Sequence, residues 1–192
     1  MKPSYNIALN SIWGVFILYW LWTARRAKPA ARIESRLKQG LMYWLPLAVA
    51  VVLLGPGEWY GHSFLREGFV SHAGLAPALG LAACAAGAAL AFWSRHVLGS
   101  NWSAVVEVKQ AHTLVEAGPY RWVRHPIYTG LLAMFLGTAV LVGDWRGLLA
   151  VAVVFASFWR KLRLEEQWLA AHFGDRYARY AGRTKALVPG LV

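Results

Sequence analysis

Strict alternation of apolar runs with basic stretches leaves a chain few ways to fold, and that alternation governs this one. Five apolar runs can be read, at residues 7–22, 41–55, 75–93, 127–142 and about 148–159. Of the 20 Lys and Arg residues, 17 sit in three stretches. These are 23–40 (Arg25, Arg26, Lys28, Arg32, Arg36, Lys38), 95–126 (Arg95, Lys109, Arg121, Arg124) and the tail from Arg160 (Arg160, Lys161, Arg163, Arg176, Arg179, Arg183, Lys185). Lys2, Arg66 and Arg146 are the exceptions. If every run crosses a membrane, the three stretches emerge on the same side. Basic loops are retained in the cytoplasm, which puts the N-terminus outside and the C-terminus inside. The expectation is an all-α, polytopic membrane protein with about five transmembrane helices in a single domain, 1–192, whose first three helices lie within 1–94. Several runs fall short of the ~20 residues that cross ~30 Å of hydrocarbon, so their flanks must contribute. Tyr43, Trp44, Trp59, Tyr60, Trp93, Trp102, Trp145 and Trp159 stand near run ends, where an interfacial aromatic belt belongs. Pro46 and Pro77 are expected near helix starts, where proline costs least.

Composition removes the main alternatives. A chain that is 58% hydrophobic, with 11 Trp and a mean hydropathy of +0.40, is too apolar for an ordinary soluble domain. Its net charge of +11 comes from only 15% charged residues, the pattern of basic flanks on a membrane protein. A nucleic-acid binder would spread its cations over a soluble face and would not need five apolar runs. The single cysteine, Cys84, lies in an Ala-rich run and reads as a packing residue, so no disulfide is expected. The six histidines show no metal-ligand spacing, and no metal is expected. The first run leads into basic residues rather than a small-residue cleavage site, so a retained first helix is expected.

One stretch is not what a plain membrane span requires. Residues 112–130, HTLVEAGPYRWVRHPIYTG, place two histidines, two arginines and two tyrosines just ahead of the fourth run. Gly118-Pro119 cannot continue a helix, and Pro126 pushes His125 away from helical geometry. Arg121, Arg124 and His125 are thereby held on irregular backbone at a membrane boundary, an arrangement suited to binding. Beside a bilayer, the same cations could simply face anionic headgroups. The fourth and fifth runs are joined by only residues 143–147, a tight antiparallel hairpin that returns the chain to the side of this stretch. The fifth helix is expected to continue past the membrane, because Leu162, Glu166, Leu169, Phe173, Tyr177 and Tyr180 recur at helical spacing, with a bend at Gly174. Glu166 lies within that apolar stripe and Glu165 one step round it. They are either a solvated pair with Lys161 and Arg163 as partners, or carboxylates that must meet a cation because unpaired burial is costly.

The ordered set Gly118-Pro119-Tyr120-Arg121 and Arg124-His125-Pro126-Ile127-Tyr128-Thr129-Gly130 resembles the signature of the integral-membrane methyltransferases, the isoprenylcysteine carboxyl methyltransferases and their phospholipid methyltransferase relatives. His112-x-Leu114-Val115, Glu165-Glu166 and Phe173-Gly174-x-x-Tyr177-x-x-Tyr180 fit the same pattern, over roughly the half from Arg95 onward. The resemblance implies that 95–192 is the catalytic half and that S-adenosyl-L-methionine is the methyl donor. It further implies a cytoplasmic cofactor pocket built from the loop before the fourth helix and from the C-terminal helix. No G-x-G-x-x-G fingerprint follows a strand, and this family needs none. On this basis the cofactor-binding residues would be His112, Leu114, Val115, Gly118, Pro119, Tyr120, His125, Pro126, Tyr128, Glu165 and Glu166, the carboxylates suiting the ligand's ammonium. The acceptor would be a lipophilic or prenylated molecule entering from the bilayer. If it offers a carboxylate, Arg124, Arg160 or Arg163 could hold it; if a phospholipid amine, Glu165 and Glu166 could take its proton; a small thiol is the further alternative acceptor. The Arg-His-Pro-x-Tyr order is closer to the isoprenylcysteine branch, and in a prokaryote the membrane would be the inner one. The alternative of another class is a non-catalytic membrane protein whose basic loops bind anionic lipid or a partner.

Overall fold

Each apolar run becomes a helix, and from the second run onward a glycine stands just past the helix end. In the computed structural model, which describes residues 3–25, 30–71, 74–109 and 113–190, α1 covers Pro3–Ala24. Only Leu9, Phe16 and Thr23 of α1 are buried, while Ile7, Leu18 and Leu21 are more than 60% exposed. An apolar helix left bare on its outer side suits hydrocarbon better than water. By length and composition, α1 and the stretch Ala76–Asn101 are long and apolar enough to cross a membrane.

The second run begins as α2 (Arg36–Gln39), widens into a π-helical turn (Gly40–Trp44) and continues as α3 (Leu45–Leu53). Pro46 therefore lies inside a longer helical stretch rather than near its start. Lacking an N–H, it cannot bond the Met42 carbonyl four residues earlier. Ser157 supplies the missing donor, its hydroxyl lying 2.7 Å from the Met42 oxygen. Pro77, by contrast, sits in the first turn of α4 (Ala76–Leu98), as expected.

Helix α5 (Pro126–Val142) packs along α4 with glycines at the crossing. A Cβ on Gly80 would lie 2.8 Å from the Gly137 oxygen, and one on Gly130 would lie 2.6 Å from the Gly87 oxygen. Only backbones without side chains approach that closely. Gly143 then takes a left-handed conformation (φ 77°), and α6 (Trp145–Phe173) starts two residues later. The hairpin is shorter than the 143–147 connection expected, because Trp145 is already helical. Buried Arg146 pairs with Asp144 at 2.9 Å and donates to the carbonyls of Leu53 and Gly55, closing the end of α3 against the hairpin.

At the other end of the bundle, the basic stretches meet. Arg95 donates to the Thr23 carbonyl (2.8 Å) and to the Gly99 carbonyl (2.6 Å), stapling the C-terminal ends of α1 and α4 together. Strand β1 (Ala30–Ile33) pairs antiparallel with β2 (Glu107–Lys109), so among the described residues the fold is helical but for one short two-stranded ribbon. An all-α reading misses it because residues 30–33, AARI, carry no strand alternation. The long helix α6 projects to this same end, breaks at Gly174 (φ 54°) as expected, and leads into α7 (Asp175–Arg183).

Candidate active site

The motif ahead of α5 is held by its own backbone chemistry. Gly118 takes positive φ (57°), and a Cβ there would meet Val97 of α4 at 3.0 Å, so the glycine serves a close approach. A 3-10 turn over Gly118–Arg121 comes next, and Pro119 is fully buried. His125 (φ −124°, ψ 57°) is kept out of the helix by Pro126, the first residue of α5. Residues beyond α7 return beneath it. The Arg124 amide donates to the Lys185 carbonyl (2.8 Å), the His125 amide to the Ala186 carbonyl (3.0 Å) and the Thr129 hydroxyl to the Leu187 carbonyl (2.7 Å).

Helix α6 brings two adjacent carboxylates to this loop, and the two differ. Glu166 accepts from Arg124 Nε at 2.7 Å and lies 3.2 Å from His125 Nε2, its side chain 15% exposed. Burial alone would raise its pKa, but the hydrogen bonds and charge of His125 and Arg124 outweigh that and hold it at about 2. Arg124 also donates to the carbonyls of Ala181 and Thr184, joining α7 to the motif. Glu165 accepts the Tyr128 hydroxyl at 2.9 Å, and its side chain is 35% exposed. The Tyr128 ring stacks between His125 (5.4 Å) and Phe158 (5.0 Å).

Above these groups opens a recess of about 800 Å³, counting its mouth. Leu114, Val115, Tyr120, Arg124, His125, Tyr128 and Glu165 line it, together with Asn101, Trp102, Thr113, Leu169, Tyr177 and Tyr180. Glu166 braces Arg124 and His125 from outside the lining, as Pro119 and Pro126 brace the loop. Gly118 faces a separate shallow groove beside Glu116 and Arg121. His112 lies outside the described residues. Tyr180 donates to the Tyr120 carbonyl at 2.7 Å, whereas the buried Tyr177 hydroxyl has no hydrogen-bond partner among the described residues. Burial raises both the Tyr120 and Tyr177 hydroxyls above the ordinary range.

A second space adjoins the recess. It is an apolar cleft of about 1740 Å³, counting its open side, between α1, the α2–α3 stretch, α5 and α6. Trp102, Ser103, Ile127 and Tyr128 line both spaces, so the two meet at the Tyr128 ring. Of the tail cations, Arg160 bonds Glu34 (3.2 Å) and the Tyr43 hydroxyl (3.2 Å). Arg163 is exposed beside the Trp159 ring. Sequence reasoning reads Lys161 only as a solvated partner of the two glutamates, whereas it is buried and lines the cleft, one helical turn before Glu165. The same reasoning passes over Glu34, whose signal is being the one acid in a linker of six cations.

The profile of the phospholipid methyltransferase family matches residues 75–176, just over half of the chain. Residues of this chain are 34% identical over 94 positions to the protein-S-isoprenylcysteine O-methyltransferase of Schizosaccharomyces pombe, covering 47% of this chain and 40% of that one. The human protein of the same name is 35% identical over 94 positions, covering 47% of this chain and 33% of that one. The match to the Arabidopsis thaliana B form, 33% identical, covers 47% and 48%. Each match thus takes in less than half of its relative. A solved eukaryotic intramembrane Ras methyltransferase, an isoprenylcysteine carboxyl methyltransferase, superposes with a TM-score of 0.58 at 23% identity, covering 83% of this chain and 55% of that one. That likeness establishes the helical architecture.

Proposed function

Because this chain belongs to the phospholipid methyltransferase family, we propose that it is an integral-membrane enzyme that methylates a lipophilic acceptor, the carboxylate of an isoprenylcysteine-like compound, with S-adenosyl-L-methionine as donor. One observation carries the reading: a polar recess and an apolar cleft meet at Tyr128. A water-soluble donor and a hydrophobic acceptor need two such entrances and one junction.

The residues of the recess fit the donor. Its ammonium calls for a carboxylate with spare acceptor capacity, and Glu165 has it: it accepts the Tyr128 hydroxyl, stands 4.0 Å from His125 Nδ1 and is otherwise partly open to solvent. The Tyr177 hydroxyl, buried and without a partner among the described residues, calls for an acceptor that a carboxylate or ribose oxygen would supply. Leu114, Val115 and Trp102 give the apolar wall an adenine requires. When bound, S-adenosyl-L-methionine supplies a methyl group on a positively charged sulfur, which passes to the acceptor oxygen as the carbon–sulfur bond breaks. The chain's part is to orient and to exclude water. Glu166 fixes Arg124 and His125, and the His125–Tyr128–Phe158 stack fixes the junction. A carboxylate acceptor arrives deprotonated, so no general base is needed.

The membrane arrangement belongs to the same proposal. Five crossings with the C-terminus in the cytoplasm are supported by the gathering of the basic stretches at one end of the bundle, where β1 pairs with β2 and Lys161 reaches the Ala104 carbonyl. Residues 1–192 form one domain in this reading, 95–192 carrying the chemistry. The test is calorimetric titration of the detergent-solubilised protein with S-adenosylhomocysteine, then methylation assays on S-farnesylcysteine derivatives and on phosphatidylethanolamine. Absence of nucleotide binding refutes the enzyme and favours a lipid-binding scaffold. Transfer to phosphatidylethanolamine alone keeps the enzyme and removes the carboxylate.

A further inference from the structure

Lys161 is an anomaly in the cleft. Its side chain is buried, and among the described residues no carboxylate lies within 4.0 Å of its ammonium. Its contacts are the Ala104 carbonyl at 2.6 Å and the faces of the Tyr43 (5.2 Å) and Tyr128 (5.4 Å) rings. The neighbouring acids are engaged elsewhere, Glu34 with Tyr43 and Arg160, and Glu165 with Tyr128. A buried cation without a counter-ion is expensive. It is also the only formal charge among the described residues lining a wide apolar cleft. The charge stands beside Tyr128, where the cleft meets the recess, rather than out along the cleft walls.

We propose that the acceptor brings this counter-ion: the Lys161 ammonium binds the anionic head of an amphiphile whose tail fills the cleft, and so makes the enzyme select a carboxylate over an amine or a neutral head. The proposal rests on the methyl-transfer reading and narrows it. An ammonium-headed lipid would bring a second positive charge to a desolvated one, with nothing in the cleft lining to neutralise either. Chemically, a carboxylate oxygen needs no deprotonation to form its new bond to carbon, so a cation beside it costs no base. An amine would have to lose a proton next to that same cation.

The test compares N-acetyl-S-farnesylcysteine with its methyl ester, two ligands with one tail and different head charge, by direct binding to the solubilised wild-type protein. The carboxylate should bind roughly ten- to hundredfold more tightly, the range of one charge-assisted bond to a desolvated group. Lys161→Met should erase that preference, leaving the ester's affinity and S-adenosylhomocysteine binding within about twofold of wild type. Lys161→Arg should retain most of the preference. Equal wild-type affinity for the two ligands overturns the proposal without any variant, which covers the case where Lys161→Met fails to fold. So does a preference that survives in a folded Lys161→Met protein. Failure of wild-type protein to bind S-adenosylhomocysteine refutes methyl transfer instead, and the head preference still decides the role of Lys161.

Discussion

Exchanging Glu166 for glutamine separates what the two adjacent acids do. Glu166 takes two charge-assisted contacts, 2.7 Å from Arg124 and 3.2 Å from His125, at 15% side-chain exposure. An amide oxygen can still accept, so each contact falls from a charged to a neutral hydrogen bond, a loss of about 1–1.5 kcal/mol apiece. The total is about 2–3 kcal/mol. Linkage gives the same size, since a carboxylate held at about 2 rather than 4.5 contributes about 3 kcal/mol at neutral pH. The sign comes from the depressed pKa: the stabilisation is full above 4.5 and disappears as pH falls toward 2. Cys84, fully buried and the chain's one cysteine, provides the assay. A thiol-reactive fluorophore labels it only on unfolding, so labelling against temperature in detergent ranks the variants at neutral pH, and far-UV circular dichroism follows them at acid pH, where a protonated thiol does not react. Glu166→Gln should unfold well below wild type, and the gap should close as pH is lowered from about 5 to about 3. Glu165→Gln loses one bond at a 35% exposed site, about 1 kcal/mol or less, yet should weaken S-adenosylhomocysteine binding more. If Glu165→Gln is the less stable of the two, or Glu166→Gln melts as wild type does, the assignment of Glu166 as a brace is wrong.

Three further outcomes are expected. Ser157→Ala should cost about 1–3 kcal/mol by stranding the Met42 carbonyl, and Pro46→Ala in the same chain should recover part of it by restoring an N–H; additive losses in a thermal-unfolding cycle would refute the pairing. Tyr177→Phe should leave thermal stability within about 0.5 kcal/mol, because the hydroxyl has no partner to lose, and should weaken S-adenosylhomocysteine several-fold by calorimetry. Accessibility tags in 23–40 and at the C-terminus should report cytoplasmic and a tag in 58–73 outside, and a C-terminus found outside would end the five-crossing arrangement.

The legible parts of this protein are those fixed by neighbours in sequence. The break at Gly174, the extension of α6 beyond the apolar run and the irregular backbone at Gly118 and His125 come from local rules of glycine, proline and periodicity. The carboxylates are visible as a pair, but which of them is consumed by Arg124 depends on a contact spanning 42 residues. Helix phase alone ranks Glu166 above Glu165 for the ligand, and the geometry puts Glu165 in the recess lining. The π turn before Pro46 is illegible because its relief comes from Ser157, 115 residues away. Arg160 and Arg163 stand out as cations, yet one is spent on Glu34 and the other faces outward. Lys161 between them reads as a solvated partner of the acids, since nothing local says that α6 turns it inward.

The carbonyls of Lys185, Ala186 and Leu187 that hold the amides of Arg124 and His125 and the hydroxyl of Thr129 belong to a segment made after every apolar run. A ribosome therefore delivers every apolar helix before it delivers the groups that lock the motif loop. Until residue 187 has emerged, Arg124, His125 and their carboxylate partners would, in the proposed membrane arrangement, stand at the bilayer surface without their backbone anchors. In that arrangement the site would be assembled last and from outside the membrane, so that the charged cluster forms without any of its members having to pass through hydrocarbon in search of a partner.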